Sequence, residues 1–187
     1  MFLRIFSEKK NAMKFLSILV LTIFLASCGA TVAVDYDKQV DFSKYNSYNY
    51  FPNIDSGLNE LDDNRIIQIT DSLLQQRGFI KSETPQIYVN FYARESVSSS
   101  RNTIGIGIGS GGGNVGVGVS GGIPIGGNVI NQQLTMDFID VEKDDLVWQA
   151  VADGEMKERS TPQQKEAYYM TVVQKILAKY PPKNSSQ

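Results

Sequence analysis

The stretch Ile87-Tyr88-Val89-Asn90-Phe91-Tyr92-Ala93-Arg94 decides the class of fold. Ile87, Val89, Phe91 and Ala93 alternate with Tyr88, Asn90, Tyr92 and Arg94, the period-two pattern of a strand with one face against a core. Pro85 stands before it as a breaker. Upstream the period changes. Across residues 61–77, Ile66, Ile69 and Leu73 recur at helical spacing, with Ile67 and Leu74 widening the stripe. Asp62 and Asp63 in the first turn and Arg77 in the last suit the helix dipole, and Gly78 supplies the stop. Downstream, Leu134, Met136 and Phe138 mark another strand. Glu142-Lys143-Asp144-Asp145 is a turn, and residues 146–152 around Trp148 are its hairpin partner.

The flanks complete the pattern. Val32, Val34 and Tyr36 alternate as a strand does, and Tyr48-Asn49-Tyr50-Phe51 is a short aromatic strand that ends at Pro52. Residues 53–59, with Gly57, read as a loop. The last helix has a strong start: Thr161 can cap, Pro162 suits the first helical position, and Gln164 completes a capping box. Tyr169, Val173, Ile176 and Tyr180 then form its apolar stripe, and Pro181-Pro182 ends it. Elements apolar on one side must bury that side against one another. The expected fold is therefore α+β: a two-layer sandwich of a mainly antiparallel sheet, with both helices on one face and a Gly-rich β-hairpin extension.

The amino terminus carries an address. Residues 15–25 are apolar apart from Ser17 and Thr22, and Lys14 precedes them. Eleven residues are too few to cross a hydrocarbon core, which takes about 20, but they match the apolar region of a signal peptide. That region runs into Leu25-Ala26-Ser27-Cys28-Gly29, which resembles the bacterial lipobox. The resemblance implies that Leu25, Ala26 and Ser27 are read by the signal peptidase. It implies that Cys28 becomes a thioether to diacylglycerol with an acylated amine. Met13-Lys14 would also serve as a start, leaving residues 1–12 upstream. Gly29, not Asp, follows the cysteine, so the expected destination is the outer membrane, facing the periplasm.

Cleavage at this site defines the units: leader 1–27, lipidated tether 28–33, domain 34–182 and tail 183–187. From Cys28 onward the chain has 14 basic and 19 acidic residues, a net charge of −5. Phosphate binding needs a basic surface, so nucleic acid is not an expected partner. The sequence has no histidine, which removes the commonest general base and excludes Ser–His and Cys–His catalysis.

Twelve of the 16 glycines fall between Gly105 and Gly127, in an insertion spanning residues 103–127. Gly107-Ile108-Gly109-Ser110-Gly111-Gly112 satisfies the dinucleotide fingerprint. That site needs the turn to open a helix, whereas Val115, Val117 and Val119 follow in strand alternation, so no cofactor is expected. Gly118-Val119-Ser120-Gly121-Gly122 spells a nucleophile elbow, but Ser120 has no histidine to activate it. The local reading is a hairpin. Ile104, Ile106 and Ile108 alternate with glycine, residues 110–114 turn, and Val115, Val117 and Val119 return. No charge occurs from Asn102 to Met136. The branched residues of the two arms offer an interaction surface, by packing on a partner or membrane or by self-association. The plainer reading, an extension of the sheet, is preferred.

The acidic group Asp137, Asp140, Glu142, Asp144 and Asp145 lacks the glycine and glutamate of a calcium loop. It reads as a solvated hairpin turn. Tyr45, Tyr48, Tyr50, Phe51, Tyr88 and Tyr92 could stack sugars, but at strand spacing they read first as half-buried cross-strand pairs.

Several of these stretches, in this order behind a lipobox, resemble the domain of unknown function 4136 family of bacterial lipoproteins. They are Val34-Asp35-Tyr36-Asp37, Asp41-Phe42-Ser43-Lys44-Tyr45 with Tyr48, Arg77-Gly78-Phe79, and residues 87–91. Leu134 to Asp140, Leu146-Val147-Trp148, and Ile176-Leu177 before Tyr180-Pro181 follow. The resemblance spans residues 30–182. It implies an envelope lipoprotein with a compact α/β domain and no established activity, and supplies no catalytic residues to carry over. The expected function is a non-enzymatic interaction or accessory module, anchored in the membrane by lipid and facing an envelope protein partner. The alternative is a domain that binds a small ligand, glycan or peptidoglycan.

Overall fold

In chain order the elements are β1 (Thr31–Tyr36), β2 (Ser47–Tyr50), α1 (Glu60–Gln76), β3 (Ile80–Lys81) and β4 (Ile87–Ser99). Then come β5 (Thr103–Ile104), β6 (Ile123–Pro124), β7 (Asn128–Asp140), β8 (Asp145–Lys157) and α2 (Pro162–Leu177). This computed structural model describes residues 30–99, 103–104, 123–124 and 127–183. Six strands make one sheet in the order β1-β8-β7-β4-β2-β3, and β5 pairs with β6 alone. β1, β8, β7 and β4 are mutually antiparallel, while β2 runs parallel to both β4 and β3. The α+β sandwich expected from the alternating patterns is the architecture found.

The alternation in β4 does what it implies. Ile87, Val89 and Phe91 are fully buried; Val89 and Phe91 lie opposite Phe138 and Met136 of β7, which in turn lie opposite Trp148 and Ala150 of β8. Onto this face α1 brings Ile66, Ile69 and Leu74, and α2 brings Tyr169, Val173 and Ile176. Each such side chain contributes about 1.5–3 kcal/mol by leaving water, so this layer carries most of the stability.

Both helices start and stop on side-chain chemistry. Asn59, in the expected loop, is the α1 cap, accepting from the Leu61 and Asp62 amides at 3.1 and 3.2 Å. Gly78, at φ +87°, lets its own amide reach Gln75 O and that of Phe79 reach Leu74 O. That left-handed turn is open to glycine at little cost. In α2 the capping box is complete: Thr161 Oγ1 accepts from the Gln164 amide, and Gln164 Oε1 accepts from the Thr161 amide.

The structure corrects three readings. Arg77 does not serve the end of its own helix; its guanidinium donates to the carbonyls of Leu177 and Tyr180, at the end of α2. The strands are longer than their apolar cores, since β4 runs to Ser99, β7 begins at Asn128 and β8 ends at Lys157. Asp137 and Asp140 are not part of a solvated turn, for both are buried. Only Val141 to Asp144 form the turn itself.

Candidate functional site

The polar residues that prolong the three central strands carry the sheet past its apolar centre. There, beside the N-terminal half of α2, lies a groove of about 1040 Å³. Its walls come from residues 94–96 of β4, 131–133 of β7, 153–157 of β8 and the α2 residues Gln164, Ala167, Tyr168, Thr171 and Val172. Ala30 and Thr31, at the start of β1, close one side.

Register brings Glu95, Gln132 and Gly154 side by side on the helix-facing surface of this extension. Gln132 is only 2% exposed. Its amide donates to Glu95 Oε1 at 2.7 Å and to the Tyr169 hydroxyl at 3.1 Å. Its carbonyl Oε1, also buried, has no partner among the described residues. The buried Tyr168 hydroxyl has none among them either. A buried polar atom left unpaired costs about 1–3 kcal/mol, so both atoms favour a group that satisfies them. Burial pushes the Tyr168 hydroxyl well above its ordinary pKa, with the neighbouring Tyr169 and the Glu95 carboxylate adding to the rise. It therefore stays protonated and able to donate. Gly154 is what admits Tyr168: a Cβ there would lie 2.5 Å from the tyrosine oxygen. The groove lining thus holds one unpaired amide oxygen and one unpaired hydroxyl, both buried, among the charges of Arg94, Glu95, Asp153, Glu155 and Lys157. What such groups can do chemically is hydrogen-bond.

The residues singled out from sequence lie elsewhere. Leu25, Ala26, Ser27 and Cys28 are outside the described residues, as are Ile106, Ile108, Val115, Val117 and Val119. Ile104 belongs to β5, opposite Ile123 of β6. The six aromatics are not gathered at the groove; none lines it. Tyr45 and Tyr48 are buried, and the Tyr48 and Tyr50 hydroxyls both donate to Asp71 Oδ1, at 2.8 and 2.9 Å. Phe51 and Tyr88 form an edge-to-face pair at 5.9 Å. Asp140 accepts from the Tyr45 hydroxyl, the Lys44 ammonium and the amides of Glu142 and Lys143. Among the described residues no group of three or more Asp, Glu, Cys or His is placed to hold a metal ion.

Gln132 and Tyr168 were invisible for opposite reasons. Asn131-Gln132-Gln133 breaks the apolar alternation, so the pattern marks a strand only from Leu134. Tyr168 adjoins the stripe residue Tyr169 and reads as ordinary amphipathic helix. The available signal was Gly154, an isolated glycine following a strand pattern, which marks a close approach.

No curated protein matches the chain. Among solved structures, a PDZ domain protein from Parabacteroides distasonis shares the fold. Its TM-score is 0.51 at 16% identity, over 82% of this chain and 36% of that one. The chain thus spans about a third of that protein's length. PelC dodecamers from Paraburkholderia phytofirmans align with TM-scores of 0.46 and 0.42 at 14% identity, over 80% of this chain and 95% and 96% of theirs. A family model described as a domain of unknown function, DUF4136, matches residues 32–182, and the chain belongs to that family.

Proposed function

We propose that the protein is a lipid-anchored envelope protein facing the periplasm, from the outer membrane, and that its domain is a non-enzymatic interaction module. The observation that supports the binding role is the groove beside α2, where Gln132 Oε1 and the Tyr168 hydroxyl are buried without partners among the described residues. The anchor is supported by the apolar run at 15–25 and the Leu25-Ala26-Ser27-Cys28 stretch behind it. β1 begins at Thr31, only three residues beyond that cysteine, so the tether would hold the domain close to its membrane. Several acyl chains, each methylene worth about 0.8 kcal/mol when buried, would make the attachment lasting.

Metabolic labelling with a palmitate analogue tests the anchor: the wild type should label and Cys28→Ala should not. A Cys28→Ala chain that labels as well as the wild type overturns it. Crosslinking in intact cells, with a photoreactive residue at Gln164 on the groove wall, tests the module. A discrete adduct that is lost in Gln132→Met supports it, and an adduct unaffected by that change argues against the groove.

The groove also favours a second reading, a small-ligand or glycan site, because sugar hydroxyls can meet an amide acceptor and a phenol together. Saturation-transfer NMR with disaccharide-peptide fragments of peptidoglycan separates the two. Transfer that Tyr168→Phe weakens selects the glycan reading.

A further inference from the structure

Residues along a strand alternate between the two faces of a sheet, and this sorts the charges around the groove. Glu95, Gln132 and Gly154 share a row on the helix-facing side. Arg94, Asp153, Glu155 and Lys157 alternate to the opposite face, where Asp153 Oδ1 accepts from Gln133 Nε2 at 3.0 Å. Glu95 is therefore the one charged residue that these rows place on the side against which α2 packs. On the helices, Lys165 and Arg65 are both held by Asp62, at 2.6 and 2.7 Å. The exposed Lys157, Glu158 and Arg159 lie beyond the row, where β8 passes into the turn before α2. The Tyr168 hydroxyl registers the resulting sign: besides burial and Tyr169, the carboxylates of Glu95 and Asp153 raise its pKa.

The unpaired atoms select a donor. Gln132 uses its amide nitrogen on Glu95 Oε1 and the Tyr169 hydroxyl, which holds the Glu95 carboxylate in place. What remains is Gln132 Oε1, which can only accept, buried without a partner among the described residues. Beside it in the same row is Gly154, against which the Tyr168 hydroxyl sits. A carboxylate, an amide oxygen and a phenol oxygen are thus contributed by two strands and a helix. An ammonium carries three donors, no acceptor and one positive charge, so it can serve all three and neutralise Glu95. A planar guanidinium suits acceptors lying in one plane, and an anion would meet the Glu95 charge. Ala167, Val172 and Met156 also line the groove, offering apolar surface for an alkyl stem.

We infer that the groove takes an exposed lysine side chain of a protein partner, its ammonium seated against Glu95 with Gln132 Oε1 and the Tyr168 hydroxyl as further acceptors. The inference rests on the groove being the interaction site proposed above, and names the chemistry that the partner brings. Glu95 is exposed and offers the entry. Gln132 is a positioning residue for that carboxylate. The ammonium gives up its water to reach the two buried oxygens, and the Glu95 charge offsets that loss.

The test uses full-length lipidated protein in detergent micelles, with isotopically labelled glutamine side chains followed by NMR. It is titrated with Nα-acetyl-lysine methylamide and, separately, with the norleucine analogue, which has the same stem without the amine. The lysine probe should shift the Gln132 side-chain signal saturably, and the norleucine probe should not. Glu95→Gln keeps an acceptor for the Gln132 amide at an exposed position. It should weaken the lysine probe by about tenfold, the loss of one charge-assisted hydrogen bond. Equal shifts from both probes, no shift from either, or undiminished lysine binding in Glu95→Gln overturns the inference. The crosslink at Gln164 separates the two levels. An adduct lost in Gln132→Met but kept in Glu95→Gln leaves the groove as the interaction site and overturns the lysine assignment. An adduct indifferent to Gln132→Met overturns both.

Discussion

Tyr45 donates its hydroxyl hydrogen to Asp140 at 2.5 Å, joining two residues 95 positions apart. Lys44 reaches the same carboxylate oxygen at 2.9 Å, and the Glu142 and Lys143 amides satisfy the other. One carboxylate therefore ties the loop before β2 to the turn between β7 and β8. Burial by itself would raise Asp140, but the Tyr45 and Lys44 bonds outweigh it and bring the carboxyl down to about 2.

A carboxyl lowered in the folded state binds fewer protons than its unfolded counterpart, so its contribution is lost as pH falls. For Asp140 the loss spans about pH 4, the ordinary carboxyl value, down to about 2. Asp140→Ala should cost about 3 kcal/mol at neutral pH, since it leaves the Tyr45 hydroxyl buried and unpaired. Urea unfolding at pH 7 and in acid measures both. The difference between wild type and variant should shrink through that window, and a constant difference would contradict the assignment.

Asp137 has the opposite sign. Burial raises its carboxyl, and the Gln149 and Asn90 amides only partly oppose this. Its folded form holds a proton to higher pH than the unfolded chain does, so its contribution weakens as pH rises above the ordinary carboxyl value. Asp137→Asn keeps an acceptor for Gln149 and removes the charge. At neutral pH it should stabilise by about 0.5–1 kcal/mol. The gain should vanish in acid, where the wild-type carboxyl is neutral. Thermal melts across pH report it directly.

Arg77 links the ends of the two helices. Both helices run in the same direction across the sheet: Asp62 of α1 meets Lys165 of α2 at 2.6 Å, and Arg77 meets the carbonyls of Leu177 and Tyr180. The last carbonyls of a helix have no partner within it, and a guanidinium supplies one along with favourable charge. Arg77→Ala should cost about 1–2 kcal/mol. Hydrogen exchange should speed up at residues 178–180, while the N-terminal turn of α2, held by Thr161, stays protected. Uniform acceleration along α2 would refute the local role.

Periodicity and caps made the layers legible. Ile87, Val89 and Phe91 named their own buried face, and Thr161-Pro162 with Gln164 named the start of α2. Contacts that join distant segments left no local trace. Arg77 at the end of a helix reads as serving its own dipole, because sequence does not show that another helix ends beside it. Asp140 reads as part of a charged turn until Tyr45 and Lys44 fold over it. The groove leaves no sequence pattern because Asn131, Gln132 and Gln133 continue a strand without apolar alternation, in rows that the helices cover only in part. The family resemblance reached the same domain by another route and is met by the match over residues 32–182. It offered nothing about the groove.

Gly154 sets the shape of that groove, and its replacement separates packing from recognition. A Cβ at this position would come within 2.5 Å of the Tyr168 oxygen and within 3.0 Å of its ring. The phenol tip can swing, but the ring is held between β8 and Tyr169, whose centroid lies 5.3 Å away. Gly154→Ala should therefore destabilise by about 1–2 kcal/mol, as overpacking does. Adding Tyr168→Phe removes the closest atom and leaves the ring contact. The double variant should recover part of the loss and no more, giving a favourable coupling in a double-mutant cycle of urea midpoints. The two costs would instead add if Tyr168 were free to turn away. In that case the glycine would not be what holds the tyrosine at the groove.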